Sequence, residues 1–482
     1  PASTASRSTW PDYRQQAALF NAASLIGGGR VLQTWRKQRL PNYGVFAEER
    51  YFLAPPTDTP VLLDLDGLRL GVLICEDAWG PAPALACQRA GADALLVLNA
   101  SPYHLGKAQE RIAALQSLCA QTALPMAYAH LVGGQDELLF DGASFALSAS
   151  GDLLAQAAAF APDLILIDFW GNQAAKPAQA APKQIANCIT PHPEAHAPLE
   201  ALWRALVLGV QDYVRKSGFR AVLLGLSGGI DSAVVAALAL DALGAPAVRT
   251  VMLPSPYTAE ISRHDAHELA SRCGITHSEI PIAPSFEQAQ QALAAPFAGL
   301  PSDVTEENLQ ARLRGLLLMA LSNKTGALLL TCGNKSEYAT GYCTLYGDMC
   351  GGFAPIKDVL KTQVFALARW RNTHNPFGST NAPIPERIIT RPPSAELRPN
   401  QTDQDSLPPY EVLDAMLQRH LEQGASLPDL KAAGFDAAAA QKLLRLIKIS
   451  EYKRRQAAPG TRVSPRAFGR DWRLPIANHF LS

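Results

Sequence analysis

The residues best suited to chemistry lie in one short segment between a predicted strand and a predicted helix. A strand that ends at paired glycines and restarts as a helix leaves unpaired N–H groups at the helix N-terminus, where a polyphosphate can bind. Serine hydroxyls add donors, and Asp231 offers a hard oxygen ligand for the Mg²⁺ that accompanies ATP. A tight capped turn without a ligand is the alternative. The segment consists of Gly225, Leu226, Ser227, Gly228, Gly229, Ile230, Asp231 and Ser232.

The spacing of this loop separates it from the Walker A type of phosphate loop, because no Gly-Lys-Ser or Gly-Lys-Thr closes it. It resembles the SGGxDS loop of the ATP pyrophosphatase family, which binds the pyrophosphate that leaves when ATP adenylates a substrate carboxylate. The resemblance favours the ATP site over the capped turn, and it implies ATP and Mg²⁺ as cofactors.

Six further segments of the C-terminal half carry a second pattern, at residues 252–258, 307–314, 331–337, 341–348, 388–397 and 451–456. Together they resemble NAD synthetase, the ligase that amidates deamido-NAD at its nicotinic acid carboxylate, and the resemblance spans most of residues 199–482. It implies that Asp231 and Glu337 hold Mg²⁺ and that position 332 joins the loop in binding ATP. It also implies that deamido-NAD is bound by Asn308, Glu337 and Lys453.

Position 332 departs from the family pattern. A second threonine is expected after Thr331, whereas the sequence has Cys332. A thiol is a weak hydrogen-bond donor, so a side-chain contact with ATP is weakened here, although a backbone contact would survive. Taken singly, Glu337, Asn308 and Lys453 could also be ordinary solvated side chains.

The N-terminal half contains a candidate nucleophile. Cys75 follows the apolar run 70–74 and stands at a predicted strand-to-helix turn, where its sulfur would be exposed. A free cysteine has a pKa of about 8.5, so attack on an amide requires a neighbouring cation or base that favours the thiolate. A small buried structural cysteine at the end of a strand is the alternative.

Three segments of the N-terminal half carry a further pattern, at residues 35–46, 72–79 and 99–107. They resemble the glutaminase domain of glutamine-dependent NAD synthetases, which has a nitrilase-type fold. The resemblance implies that Lys37 stabilises the tetrahedral oxyanion and that Glu48 orients this lysine. It further implies that glutamine is bound by Tyr43, Ser101 and Lys107.

One departure affects the thiol site directly. Nitrilase-type sites use a Glu-Lys-Cys triad whose general-base glutamate precedes the lysine, and residues 1–36 contain no glutamate. The first β-α-β portion of the sheet is also missing from the pattern, which would expose a sheet edge. We therefore expect a family member without its N-terminal segment and with little glutaminase activity. If glutamine is used, Glu48 and Glu76 are the first candidates for the base.

The elements that position these residues form two α/β units. Short apolar runs at 61–63, 70–74 and 94–98 alternate with alanine-rich helical patterns. We predict an incomplete nitrilase-type αββα layer domain at 1–172, a linker at 173–197, and a doubly wound parallel-sheet domain of the adenine-nucleotide α-hydrolase-like type at 198–482. The proline-rich passage 375–409 is longer than the usual limit of about 12–15 residues for a structureless loop, so it should be functional or disordered.

Composition narrows the remaining choices. The 482 residues include 43 basic and 43 acidic side chains, so no global field recruits nucleic acid or an anionic membrane. No apolar span reaches membrane length, and the eight cysteines form no CxxC pair, which favours a cytoplasmic protein. The expected partners are deamido-NAD, ATP, glutamine or ammonia, and further copies in a homo-oligomer.

Two alternative functions stay open at this point. The loop alone does not choose the acceptor, so another amidating ATP pyrophosphatase, of the GMP-synthetase kind, would share it. The N-terminal half could also be a non-catalytic assembly module that accompanies a synthetase using free ammonia.

Overall fold

The computed structural model describes residues 19–55, 59–168, 187–188, 196–399, 401, 403–405 and 407–477. Most of the predicted linker 173–197 lies outside the described residues. The chain divides into two compact units, the first formed by Pro1–Ser101, Gly106–Val132 and Phe140–Glu194, the second by Pro102–Leu105, Gly133–Leu139 and Ala195–Ser482. No helix among the described residues combines the length and apolarity needed to cross a bilayer.

The first unit contains a six-stranded sheet in the order β10-β9-β6-β5-β4-β3. Its three central strands are parallel and are connected by helices, as in a βαβαβ unit. The strands from Ala22 to Cys188 are β1 (Ala22–Gly27), β2 (Arg30–Arg36), β3 (Leu62–Leu65), β4 (Leu68–Ile74), β5 (Ala94–Asn99), β6 (Met126–His130), β7 (Val132–Gln135), β8 (Leu138–Asp141), β9 (Phe145–Leu147), β10 (Leu153–Gln156), β11 (Ile167–Asp168) and β12 (Asn187–Cys188). The helices are α1 (Pro81–Arg89) and α2 (Lys107–Thr122).

The predicted apolar runs of the first unit coincide with β3, β4 and β5. Their register aligns Leu73 with Val97 and Val97 with Tyr128, and these three side chains belong to one core cluster. The hairpin β1–β2 pairs only with itself among the described strands and leads directly to Lys37. The sheet therefore brings the end of β4 and the end of β5 to the same edge, since neighbouring parallel strands end together.

The second unit is built on a four-stranded parallel sheet in the order β15-β14-β13-β16. In sequence order the strands are β13 (Val222–Gly225), β14 (Val248–Met252), β15 (Thr276–Glu279) and β16 (Leu328–Leu330). The strand order reverses at β13, because its successor β14 lies on one side and β16 lies on the other. Ligands of open α/β sheets bind beyond the carboxyl ends of the strands at such a switch point.

The described part of the second unit contains twelve α-helices: α3 (Pro198–Lys216), α4 (Ile230–Leu243), α5 (Glu260–Cys273), α6 (Ala283–Leu293), α7 (Val304–Thr325), α8 (Lys335–Thr340), α9 (Lys361–Thr373), α10 (Glu386–Thr390), α11 (Tyr410–Gln423), α12 (Leu427–Ala432), α13 (Ala437–Ile449) and α14 (Glu451–Arg454). Helix α4 is apolar on nearly all sides and is almost entirely buried, as expected for a helix in the interior of a domain. It starts immediately after the glycine pair, so its N-terminus faces the switch point.

The proline-rich passage 375–409 is partly structured, because it contains α10 and a 3₁₀ turn at Asp403–Asp405. Its first part is held by the buried Arg371, which forms an ion pair with Asp241 and donates to Ser379 Oγ at 2.8 Å and to the Thr380 carbonyl at 2.9 Å. Of the two alternatives for this passage, functional or disordered, these contacts favour the first for the described residues.

Candidate active sites

Cys75 lies at the carboxyl end of β4, as its sequence context predicts. It starts the 3₁₀ turn Cys75–Ala78 with a φ of +47°, a left-handed conformation that is strained for a residue other than glycine. Its side chain is 9% exposed, and the Ala100 N–H donates to its sulfur. Backbone strain of this kind concentrates at functional sites, which supports a functional role for the thiol.

Lys37 and Glu48 form a close ion pair beside this thiol. The Lys37 ammonium lies 2.7 and 2.9 Å from the two carboxylate oxygens of Glu48 and is 1% exposed. Burial raises the pKa of the Cys75 thiol, and the Lys37 charge opposes that shift. The structure thus brings the three candidate catalytic residues together, with Glu48 placed to orient the lysine.

The three candidate glutamine ligands lie on segments adjoining this cluster. The Tyr43 hydroxyl donates to both carboxylate oxygens of Glu76, the neighbour of Cys75, at 3.0 and 3.1 Å. Burial and then Glu76 raise the pKa of Tyr43 to about 12. The Ser101 N–H donates to His130 Nε2 at 3.1 Å, directly after the Ala100 N–H that contacts the thiol. Lys107 Nζ lies 4.3 Å from the centre of the Trp79 ring.

The loop 225–232 is shaped by close backbone contacts. Gly228 has a φ of +77°, and a Cβ atom there would lie 2.3 Å from the Ser262 carbonyl oxygen, so only glycine fits. The Gly229 N–H donates to Ser227 Oγ at 3.2 Å, and Ser227 Oγ lies 3.2 Å from Ser232 Oγ. The serines therefore hold the loop in the conformation that leads into α4.

All eight loop residues line one cavity of about 300 Å³. The wall also includes Thr331, Cys332 and Gly333, which follow β16, and the segment 391–397. This segment contacts the loop directly, since Arg391 Nη2 donates to the Gly228 carbonyl at 3.3 Å. The part of the proline-rich passage that follows α10 thus belongs to the site.

Three charged side chains meet in this cavity. Lys361, which is 1% exposed, forms ion pairs with Asp231 and, at 3.5 Å, with Glu337. Asn334 Nδ2 donates to the other oxygen of Asp231 at 2.9 Å. Burial raises the pKa of the Glu337 carboxyl, and the nearby Asp231 raises it further. Burial alone lowers the pKa of Lys361, but the two carboxylates outweigh it and the net shift is upward.

Asn308 and Lys453, the other candidate deamido-NAD ligands, meet at the turn 341–344 rather than on the cavity wall. Asn308 Oδ1 accepts from Thr344 Oγ1 at 2.9 Å, and Lys453 Nζ donates to the carbonyls of Gly341 and Cys343 at 2.7 and 2.6 Å. Neither residue lines the cavity, whereas Cys343 does. Their placement suits a role in holding the turn that borders the site.

Cys332 lines the cavity at the position where threonine is expected. Its sulfur lies 4.0 Å from the Gly225 carbonyl oxygen, and burial raises the pKa of the thiol. A neutral thiol in this environment provides a weak donor at best.

Comparison with known proteins decides the family. The carbon-nitrogen hydrolase family matches residues 5–171, and the NAD synthase family matches residues 202–457. The glutamine-dependent NAD(+) synthetase of Xylella fastidiosa is 49% identical over 472 residues, which are 98% of this chain and 84% of the relative. The enzyme of Thermotoga maritima is 43% identical over 487 residues, with 96% and 83% of the two chains covered. The chain belongs to the glutamine-dependent NAD(+) synthetases.

A solved structure agrees with this assignment. The glutamine-dependent NAD(+) synthetase of Acinetobacter baumannii, determined with ADP, is 44% identical and superposes with a TM-score of 0.71 over 95% of this chain and 81% of its own. A glutamine-dependent NAD(+) synthetase is a carbon-nitrogen ligase that amidates deamido-NAD with ATP, using glutamine-derived ammonia. The nitrilase-type and NAD synthetase folds predicted for the two halves are confirmed, and the alternative of the GMP-synthetase kind is not supported.

Sequence reasoning missed three cations on the wall of the synthetase cavity: Lys361, Arg314 and Arg391. Arg314 donates from Nε to the Leu253 carbonyl at 2.9 Å, and burial lowers its pKa to about 10. Both arginines lie in segments that carry the family resemblance, so their sequence context was a usable signal. Lys361 offers no such signal, because a lysine at the start of a helix is usually solvated and only the fold shows that this one is buried.

Proposed function

We propose that the two groups of residues divide the reaction between them, with ammonia release at Cys75 and amidation of deamido-NAD in the cavity behind the loop 225–232. The observation that carries the proposal is the meeting of a phosphate-type loop, two carboxylates and a buried lysine in one cavity. ADP in the relative from Acinetobacter baumannii is consistent with an adenine nucleotide here.

In the amidation, the loop N–H groups and the N-terminus of α4 hold the phosphates of ATP. The deamido-NAD carboxylate attacks the α-phosphorus, the bond to the bridging oxygen breaks, and pyrophosphate leaves. Lys361 and Arg391 offset the negative charge that builds up on the departing group, and charge stabilisation of this kind is usually the largest catalytic term. Ammonia then attacks the acyl adenylate, AMP leaves, and one proton passes to solvent.

Asp231 and Glu337 are the residues that would hold Mg²⁺. Protein-bound Mg²⁺ commonly uses one or two carboxylates together with substrate phosphates and water, so this donor pair fits. The two carboxylates already contact one cation, Lys361, which shows that this part of the cavity favours positive charge. Mg²⁺ would supply further neutralisation of the phosphates.

In ammonia release, the Cys75 thiolate attacks the carboxamide carbon of glutamine while Lys37 and the Ala100 N–H stabilise the developing negative charge. The amide nitrogen leaves as ammonia after it gains a proton, and water then cleaves the thioester to glutamate. The carboxylates that act on the thiol are Glu48, which binds Lys37, and Glu76, which binds Tyr43. They are the candidate proton acceptors.

We further propose the boundaries 1–172, 173–197 and 198–482, a cytoplasmic location and a homo-oligomeric state.

The direct test is AMP release from ATP with ammonium as nitrogen donor and either deamido-NAD or xanthosine monophosphate as acceptor. We expect AMP and NAD with deamido-NAD and no turnover with the purine nucleotide. The matched variants are Asp231→Ala, which removes a carboxylate of the cavity, and Glu287→Ala, which removes the charge of an exposed residue of α6 outside it. Only Asp231→Ala should lose turnover. Equal turnover of both acceptors would contradict the proposed specificity.

A further inference from the structure

A single buried carboxylate connects the two segments that carry Lys37 and Cys75. Asp77 is 2% exposed and accepts three main-chain hydrogen bonds. Its Oδ1 accepts from the N–H groups of Gln38 at 3.0 Å and Arg39 at 2.8 Å, and its Oδ2 accepts from the Ile74 N–H at 3.1 Å.

The donors lie next to the candidate catalytic residues in the chain. Gln38 and Arg39 directly follow Lys37, whereas Ile74 directly precedes Cys75. One oxygen of Asp77 therefore holds the end of the lysine segment, and the other closes the strained turn at the thiol. Hydrogen bonds to an ionised carboxylate are about twice as strong as neutral ones, so this connection is a strong local constraint.

We propose that Asp77 is the residue that positions Lys37 relative to Cys75. The inference rests on the proposed ammonia release at Cys75, and it adds a role for a residue that touches neither the substrate nor the reacting atoms. Glu48 fixes the ammonium end of Lys37 through the contacts at 2.7 and 2.9 Å, while Asp77 fixes the backbone from which that side chain extends. Small displacements of such groups reduce catalysis strongly.

The direction in which the pKa of the Cys75 thiol shifts separates a positioning role of Asp77 from a simple charge effect. The charged and titratable groups that act on the thiol from the surrounding elements are Lys37, Glu48, Glu76, Tyr43 and Tyr128. Lys37 lowers the pKa of the thiol. Displacement of Lys37 therefore raises the pKa of the Cys75 thiol. Removing the negative charge of Asp77 without any displacement would instead lower the pKa, because a negative neighbour disfavours the thiolate.

The experiment measures the rate of Cys75 carbamidomethylation by iodoacetamide between pH 6 and 10, followed at peptide level by mass spectrometry. The thiolate sulfur forms a bond to the methylene carbon, the carbon–iodine bond breaks, and iodide leaves. The proteins are the parent chain, Asp77→Asn, Asp77→Glu, Lys37→Met and the control Asp93→Asn. Asp93 also accepts from a main-chain N–H of the first unit, that of Arg69 at 2.7 Å.

We expect Asp77→Asn and Asp77→Glu to slow labelling near pH 8 about 3- to 10-fold, because a pKa increase of up to one unit lowers the thiolate fraction up to tenfold. Asp77→Glu keeps the charge but moves it by one methylene, so the same shift in both variants identifies position as the cause. The Asp93→Asn profile should match the parent, and thermal unfolding of each variant serves as the folding check.

An unchanged or lowered thiol pKa in both folded Asp77 variants would overturn the inference. If Lys37→Met also leaves the profile unchanged, the proposed role of Lys37 itself fails, and the two failures are thereby distinguished. If Asp77→Asn does not fold, Asp77→Glu decides alone. This variant keeps the negative charge, so a raised pKa of the Cys75 thiol in it identifies displacement as the cause.

Discussion

The two candidate sites hold their charged groups in different ways. In the synthetase cavity Lys361 contacts both Asp231 and Glu337, and Asn334 holds Asp231 in turn. At the thiol site Lys37 has one carboxylate partner among the described residues, Glu48. The first arrangement is a connected network within one unit, whereas the second depends on a single ion pair and on the backbone that carries it.

Unsatisfied polar atoms show the same contrast. Nine buried side-chain nitrogen or oxygen atoms among the described residues have no hydrogen-bond partner, and five of them belong to the smaller first unit. Three of these five residues are close in sequence to the thiol site: Trp35 and Gln38 lie beside Lys37, and Asn99 precedes Ala100. An unpaired buried polar group costs about 1–3 kcal/mol, so these atoms lower the stability of the segments that carry Lys37 and Ala100. The comparison predicts that substitutions disturb ammonia release more easily than amidation.

The largest expected effect would come from Asp231→Ala. Removing this carboxylate should abolish NAD formation with ammonium and with glutamine alike, because both nitrogen donors require the adenylate. We expect a loss of at least about 10²- to 10³-fold, the range seen when one preorganised electrostatic group is removed. Steady-state NAD formation is the measurement, with Glu287→Ala as the control, and normal ammonium-dependent turnover would show that Asp231 has no catalytic role.

Glu337→Ala tests the same network through its other carboxylate. It should also lower ammonium-dependent synthesis strongly and should in addition weaken deamido-NAD binding, as the family resemblance implies for this residue. Isothermal titration with deamido-NAD separates the two effects. Unchanged affinity together with reduced turnover would restrict Glu337 to the adenylation step.

Cys75→Ala should remove one activity and spare the other. Whatever glutamine-dependent synthesis the protein supports should disappear, because the thiol is needed only to release the amide nitrogen. Ammonium-dependent synthesis should stay near the parent rate. Loss of both activities would make Cys75 a structural cysteine.

Cys332→Thr should give the smallest change, and in the favourable direction. A hydroxyl at this position adds a donor on the cavity wall, and a neutral hydrogen bond contributes about 0.5–1.5 kcal/mol. We therefore expect the KM for ATP to fall about two- to tenfold with little change in kcat. An unchanged KM for ATP would mean that the side chain at position 332 makes no contact with the nucleotide.

The sequence predicted the parts of the fold that short-range patterns determine. The apolar runs identified β3, β4 and β5, and the glycine pair marked the boundary between β13 and α4. The family motifs also identified both site segments. These features were predictable because neighbouring residues determine a strand, a turn or a loop motif.

Contacts between distant residues could not be predicted in this way. Lys361 reaches Asp231 across 130 positions, and Arg391 reaches Gly228 across 163, so neither partner is visible in the local pattern. The roles of Asn308 and Lys453 as deamido-NAD ligands stay predictions. Both bind the turn 341–344, and a motif does not show in advance which atoms a residue contacts.

The central claim is that ammonia release at Cys75 and amidation in the synthetase cavity are separate steps, and that only the second is needed when ammonium is supplied. The most direct measurement compares NAD formation by Asp231→Ala and Cys75→Ala with saturating ammonium and with saturating glutamine. Asp231→Ala should lose synthesis with both donors, whereas Cys75→Ala should lose only the glutamine-supported synthesis. Equal losses with both donors in the two variants would contradict the claim.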